Sequence, residues 1–156
     1  MRLYFLRHGE ADWPDWQQSD DKRPLTDRGR KEMAKIANFL EKLDLELDQI
    51  VTSPLPRAKQ TAEVVANRFK LKLSSDPMLR PGFGAADLGQ LLRKFPGENV
   101  MIVGHEPDFT MVISNLTGAS LKLSKAGIAL VELEENKKRG RLLWLFPPKI
   151  AKAARR

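Results

Sequence analysis

The chain of 156 residues contains no cysteine and only two histidines. The lack of cysteine excludes disulfides, thiolate metal ligands and a thiol nucleophile. No apolar run approaches the ~20 residues that a membrane-spanning helix needs, because Arg7 and His8 interrupt the N-terminal run Leu3 to Leu6. We therefore expect a cytoplasmic protein without a membrane anchor.

The remaining composition is that of one soluble domain, with 42% hydrophobic and 30% charged residues. The net charge of +7 would suit a nucleic-acid-binding protein, but many of the basic residues lie around a predicted hairpin turn or near the C-terminus. These basic residues are Lys137, Lys138, Arg139, Arg141, Lys149, Lys152, Arg155 and Arg156. We interpret them as solvated edges and a loose end, and expect no nucleic-acid partner.

Hydrophobic periodicity predicts strands that alternate with helices. The predicted strands span residues 3–6, 49–52, 71–73, 100–103, 128–133 and 142–146. The first predicted helix has Thr26 as its N-cap and an apolar face that ends at Leu43, and the second follows Ser53 and has an apolar face that ends at Phe69. Two further predicted helices span residues 85–95 and 108–116. This order indicates a single-domain three-layer α/β sandwich. Its sheet would be mostly parallel, with helices on both faces and at least one antiparallel strand in a C-terminal hairpin. We assign this domain to residues 1–148 and a basic tail to residues 149–156.

Both histidines follow directly after predicted buried strands. His8 follows the first strand and His105 follows the strand at residues 100–103. Arg7 directly precedes His8, and Arg57 comes after the strand at residues 49–52, at the same edge of the predicted sheet. Ligands of open α/β sheets bind at the carboxyl ends of the strands. Two imidazoles and two guanidiniums in one place require an anion to balance them, and phosphate fits this requirement.

These residue types suit phosphoryl transfer through a histidine. Arg7 and Arg57 would bind the phosphoryl oxygens, and their charge disfavours the imidazolium form of His8, so that the ring stays nucleophilic. A metal site is the main chemical alternative, but no ligand spacing supports it and Arg7 would repel a divalent cation. We therefore expect no metal and no cofactor, and activity that survives a chelator. A serine hydrolase is disfavoured because no G-x-S-x-G motif is present.

Four motifs resemble the signature of the histidine phosphatase superfamily, which includes the cofactor-dependent phosphoglycerate mutases. They are L-R-H-G-E at 6–10, R-P-L-T-D-R-G at 23–29, S-P-L-P-R-A-K-Q-T-A at 53–62 and V-G-H-E-P at 103–107. The resemblance implies that His8 accepts the phosphoryl group, that Arg7 and Arg57 bind it, and that His105 stabilises it during transfer. The compact length is similar to that of the SixA-type phosphohistidine phosphatases, which implies a phosphohistidine-bearing signalling protein as the substrate.

One departure from the family concerns the general acid. Many members that cleave phosphate esters carry a carboxylate after the second helix, where this chain offers only Asp76, which also suits a turn before proline. An alkoxide leaving group needs protonation, whereas an imidazole can depart without a strong acid, so phosphohistidine is favoured. Two alternatives stay open: a phosphomonoesterase or small mutase that uses Asp76, Glu10 or Glu106 as the acid, and a non-catalytic basic module that binds phosphoprotein or nucleic acid. Whether Trp13 and Trp16 line the pocket also stays open.

Overall fold

The computed structural model describes residues 1–154 as a six-stranded sheet between two layers of helices. The strands are β1 (Arg2–Arg7), β2 (Gln49–Thr52), β3 (Leu73–Ser75), β4 (Asn99–Gly104), β5 (Ile128–Leu133) and β6 (Gly140–Phe146). The helices are α1 (Asp27–Lys42), α2 (Pro56–Phe69), α3 (Ala85–Lys94), α4 (Asp108–Thr117) and α5 (Lys149–Ala153). Two short 3-10 helices, Asp20–Lys22 and Pro77–Leu79, interrupt the loops.

The strand order is β3-β2-β4-β1-β5-β6. Strands β3, β2, β4 and β1 are parallel, whereas β5 pairs antiparallel with both β1 and β6. The predicted fold class is therefore confirmed, including the antiparallel C-terminal hairpin. The three strands that carry the predicted site, β2, β4 and β1, are direct neighbours, so their carboxyl ends lie at one edge of the sheet.

Alternate residues of β1 enter two separate cores. Leu3 and Phe5 pack with α3 and α4, and Phe5 meets Phe109 edge-to-face at 5.2 Å between ring centroids. Tyr4 and Leu6 pack with α1, α2 and α5 on the opposite face. Because both faces are covered, the central strands read as continuous apolar runs rather than as alternating ones.

Local signals define several helix boundaries. The hydroxyl of Thr26 accepts a hydrogen bond from the backbone of Gly29 at 3.0 Å, which caps α1 as its sequence predicts. Pro56 occupies the first turn of α2, where its missing N–H costs nothing. Gly118 adopts a φ of 75° and ends α4.

Three sequence predictions need correction. The third strand lies at Leu73–Ser75 rather than at 71–73, because the pairing with β2 begins at Ile50 and Leu73. Leu43 is 40% exposed and follows the last residue of α1, so it does not extend the buried face. The loose end predicted from residue 149 is instead helix α5 over Lys149–Ala153, where Ala151 is buried against the core that contains α1. Arg155 and Arg156 lie outside the described residues.

Candidate active site

The register of β1 and β4 places the two histidines side by side. Arg7 pairs with Gly104 in this parallel ladder, so the residues that follow them, His8 and His105, leave the sheet together. The backbone N–H of His8 also donates to the carbonyl of Gly104 at 3.1 Å. The imidazole centroids are 5.4 Å apart. Both rings are buried, with exposed fractions of 9% for His8 and 3% for His105.

A backbone contact defines the tautomer of His8. Its Nδ1 lies 2.7 Å from the carbonyl oxygen of Gly9, and because a carbonyl only accepts, Nδ1 must carry the proton. The lone pair is therefore on Nε2. Burial lowers the pKa of His8 to about 4, and the charges of Arg57 and Arg7 act in the same direction against the hydrogen bond to Gly9. His8 is thus a neutral imidazole at neutral pH, with Nε2 available as a nucleophile.

The hydroxyl of Ser53 orients His105. Ser53 Oγ accepts from the backbone N–H of Leu55 at 3.3 Å and lies 2.8 Å from Nε2 of His105. If the hydroxyl donates its own proton to Nε2, the remaining ring proton lies on Nδ1, where it can serve as a donor. Burial is the largest cause that lowers the pKa of His105 to about 3, and the neighbouring His8 and the charge of Arg57 lower it further.

Three buried nitrogens of the site have no hydrogen-bond partner. Among residues 1–154, the buried side-chain nitrogens or oxygens without a hydrogen bond are Nε of Arg7, Nε of Arg57 and Nδ1 of His105. One outer nitrogen of each arginine is held: Arg7 Nη1 donates to the carbonyl of Leu123 at 3.0 Å, and Arg57 Nη1 donates to the carbonyl of Asp20 at 2.9 Å. An unpaired buried donor is costly, and a bound oxyanion would offer acceptors to the two arginine nitrogens, and to Nδ1 of His105 in the tautomer that carries its proton there.

Comparison with known proteins places this cluster in a family. The family profile described as histidine phosphatase superfamily (branch 1) matches residues 3–87. The chain belongs to the histidine phosphatase superfamily. It is 37% identical over 140 residues to an uncharacterized protein of a Picosynechococcus species, and the match covers 82% of each chain.

Two further comparisons concern phosphohistidine phosphatases. The chain is 29% identical over 163 residues to the phosphohistidine phosphatase SixA of Escherichia coli, a match that covers 98% of this chain and 99% of SixA. The structure of a protein histidine phosphatase SixA complexed with tungstate superposes with a TM-score of 0.85 at 27% identity, covering 96% of this chain and 99% of the other. These similarities support a histidine-phosphatase-type enzyme.

The superfamily motifs contain supporting residues to which the sequence assigned no role. Thr61 Oγ1 accepts from the backbone N–H of Gly9 at 3.0 Å and donates to the carbonyl of Arg57 at 2.7 Å. One hydroxyl thereby ties the segment after β1 to the first turn of α2. The positions of Ser53 and Thr61 inside the matched motif were the available signal for both residues.

The long loop 9–25 places two more charged residues, Asp20 and Arg23, beside Arg57. Asp20 contacts Arg57, and Arg23 donates to the Asp20 carboxylate through Nε at 2.8 Å. The indoles of Trp13 and Trp16 donate within the loop, to the carbonyls of Pro24 and Ser19, each at 2.9 Å. Both indoles therefore pack the loop, and they also line an open groove beside Asp20 and Arg23.

The three carboxylates considered as general acids are all engaged elsewhere. Asp76 accepts from the backbone of Met78 at 2.8 Å and pairs with Lys94 at 2.6 Å. Burial would raise the pKa of Asp76, but these two interactions outweigh it and hold that pKa below its usual range. Asp76 thus caps a 3-10 turn, and its lowered pKa disfavours the protonated form that a general acid needs.

Glu10 and Glu106 also have local structural partners. Glu10 lies 3.5 Å from Arg28 Nε, and Glu106 accepts from the backbone N–H of Thr110 at 2.8 Å inside the first turn of α4.

Within residues 1–154, no group of three or more histidines and carboxylates is arranged to hold a metal ion. No helix of that part of the chain is long and apolar enough to cross a membrane.

Proposed function

We propose that this protein is a phosphohistidine phosphatase that carries the phosphoryl group on His8 as a covalent intermediate. The observation that carries the proposal is the state of His8: its Nδ1 is held by Gly9 and its Nε2 lone pair is free. This nucleophile lies among three unpaired buried donors, on Arg7, Arg57 and His105. The substrate would be a signalling protein that bears phosphohistidine, which the similarity to SixA also supports.

The reaction would proceed in two steps. The phosphoryl oxygens bind the donors of Arg7, Arg57 and His105, which places phosphorus in line with Nε2 of His8. The P–N bond of the substrate breaks as the new bond to Nε2 forms. The departing imidazole keeps the electron pair of that bond and leaves as the neutral ring, because its other nitrogen already carries a proton in the substrate. Water then attacks phosphohistidine 8, releasing inorganic phosphate and the neutral ring. The same donors stabilise the charge that develops in both steps.

Within residues 1–154, each of the three candidate general acids has another partner, which supports this choice of substrate. An alkoxide leaving group departs slowly unless an acid protonates it, whereas imidazole is a weaker base and needs less assistance. The candidate acids Asp76, Glu10 and Glu106 each have another partner in the described structure. A phosphohistidine substrate therefore matches the groups present better than a sugar phosphate or a glycerate phosphate does.

Rapid quench with a labelled phosphohistidine protein tests the proposal. The wild-type enzyme should yield an acid-labile, base-stable phosphoenzyme, because phosphoramidates hydrolyse in acid. His8→Ala should abolish the label, whereas His105→Ala should slow its formation by roughly 10²–10³-fold, as is typical for the loss of one transition-state donor. A label that maps to His105, or an active His8→Ala enzyme, contradicts the proposed mechanism.

The same assay with an alkyl phosphate monoester separates substrate from mechanism. We expect turnover of phosphohistidine to exceed that of glycerol phosphate at neutral pH. Equal or faster turnover of the ester would contradict the phosphohistidine assignment while leaving the intermediate intact. Asp76→Asn would then show whether that carboxyl acts as the acid after all.

A further inference from the structure

Asp20 makes contacts that the proposed reaction does not use. Its backbone carbonyl accepts from Arg57 Nη1 at 2.9 Å, and its Oδ2 lies 3.5 Å from Arg57 Nη2. Its other carboxylate oxygen accepts from Arg23 Nε at 2.8 Å. One residue of the long loop therefore contacts Arg57 at both outer nitrogens and is held in place itself by Arg23.

These contacts determine which edge of the Arg57 guanidinium stays free. With Nη1 and Nη2 facing Asp20, Nε is the nitrogen left without a partner, and it is buried. A guanidinium is planar, so two contacts on its outer edge define the orientation of the whole group. An arginine without these contacts would lose conformational entropy when it binds an anion, and this loss weakens binding.

Stabilisation of the fold does not account for the carboxylate contact. The Asp20 side chain is 69% exposed and lies 3.5 Å from Arg57, so it adds little to the free energy of unfolding beside the 2.9 Å hydrogen bond that the backbone carbonyl of Asp20 accepts from the buried guanidinium. The contact nevertheless joins elements that are far apart in sequence, since Arg57 lies in the first turn of α2 and Asp20 in a 3-10 turn of the loop. Its effect is local to the guanidinium.

We infer that Asp20 is a positioning residue that holds Arg57 with its Nε free to bind a phosphoryl oxygen. This inference rests on the anion site of the proposed function, but not on the identity of the substrate. Asp20 does not touch the transferred group; it acts through Arg57. Asp20 thereby couples the long loop to the phosphate-binding site.

If charge alone mattered, removal of the Asp20 carboxylate would strengthen anion binding, whereas the proposed positioning role predicts weaker binding. The charge of Asp20 opposes the burial that lowers the pKa of Arg57, and it also acts to raise the pKa of His105, so it lies within range of the site. A negative charge at that range repels a bound anion.

Isothermal titration calorimetry with tungstate separates the effect of charge from the effect of positioning. Asp21 is the matched control, because it is the adjacent acid of the same turn and its charge also acts on Arg57, but no hydrogen bond joins the two. We expect Asp20→Ala to weaken tungstate binding by about tenfold, and Asp21→Ala to leave it unchanged or slightly stronger. Asp20→Asn should recover part of the affinity, since its single amide oxygen can accept one of the two hydrogen bonds that the carboxylate oxygens accept from Arg23 and Arg57. If Asp20→Ala binds tungstate as tightly as Asp21→Ala, or if Asp20→Asn is no better than Asp20→Ala, the inference is wrong.

A double-mutant cycle shows whether the effect passes through Arg57. Arg57→Lys keeps the positive charge but lacks the planar fork that Asp20 holds. In that background Asp20→Ala should change tungstate affinity less than twofold, whereas a second tenfold loss would overturn the inference. Circular dichroism of each variant shows that the comparison is between folded proteins. Because tungstate binding needs no turnover, an enzyme that fails on phosphohistidine can still pass or fail this test.

Discussion

At the scale of single residues, the site depends on keeping two imidazoles neutral. Burial is the largest cause for both His8 and His105, and the nearby arginines add to it. A charged imidazole in this position would have no lone pair for phosphorus and would repel Arg7 and Arg57. The arginines proposed to bind the anion therefore also favour the form of His8 that the proposed mechanism requires.

Proton NMR can test this state directly, because the chain has only two histidines and so only two sets of ring signals. The pKa of His8 is lowered to about 4 and that of His105 to about 3, so neither ring should titrate between pH 8 and pH 5 in the free enzyme. Bound tungstate should move both titrations to higher pH, because a nearby anion favours the charged ring. His8→Asn assigns the two signals. A midpoint near 6.5 for either ring in the free protein would contradict the neutral pair.

At the scale of secondary-structure elements, the segment after β1 is held against the start of α1. The backbone N–H of Thr26 donates to the carbonyl of Glu10 at 3.0 Å, and Gly29 packs on the same backbone. A Cβ at Gly29 would lie 2.3 Å from the Glu10 carbonyl oxygen, which is closer than any side chain allows. Helix α1 therefore positions the residues that immediately follow His8, and glycine is required for this close approach.

Gly29→Ala should destabilise the protein even though alanine favours helix. We expect a loss of about 2 kcal/mol in the free energy of unfolding, the size typical of forcing extra atoms into a packed site. Tungstate affinity should fall as well, because Glu10 must move and His8 is close by in the chain. Urea denaturation and calorimetry measure the two effects.

Gly89 of α3 provides the control for this substitution. A Cβ there meets Arg93 Nη1 at 3.5 Å, an ordinary contact with a flexible side chain. Gly89→Ala should therefore stabilise the protein by roughly 0.5–1 kcal/mol, through helix propensity alone. If Gly29→Ala were as stable as Gly89→Ala, the proposed packing of α1 on Glu10 would be wrong.

At the scale of the whole molecule, the two buried histidines make folding sensitive to acid. Their pKa values are lower in the folded protein than the ordinary 6.5 of an unfolded chain. Between about pH 6.5 and pH 4 the unfolded chain therefore binds more protons than the folded one, and stability rises with pH in that window. The contribution is fully present above pH 6.5 and is lost as the pH falls towards the folded pKa values.

Urea unfolding at pH 7 and pH 5 measures this contribution. Each histidine should account for a loss of about 1–2 kcal/mol on going to pH 5, from the difference between its folded and unfolded pKa values. His105→Asn should show a smaller loss over the same interval, because one of the two titrating groups is gone. An identical pH dependence in this variant and in the wild type would show that carboxylates, and not the imidazoles, dominate acid unfolding.

The sequence by itself determined most of the elements, the fold class and the place of the four central residues. The buried strands and helical faces follow from local periodicity, because each element must bury one face or both. Arg7, His8, Arg57 and His105 were predictable as a group because ligands bind at the carboxyl ends of parallel strands. Their catalytic roles stay predictions. The structure brings the four residues together, and Arg7, Arg57 and His105 each have one buried nitrogen without a hydrogen-bond partner.

Only the tertiary structure decided what surrounds these residues. Asp20 lies in a loop without periodicity, and its contact with Arg57 spans 37 positions, a distance at which no local pattern carries information. Likewise, Asp76 gave no sign in the sequence that Lys94 would neutralise it, and Ala151 gave none that the chain end would pack against the core. Local periodicity reports whether a residue is buried, whereas its partner depends on how distant elements pack.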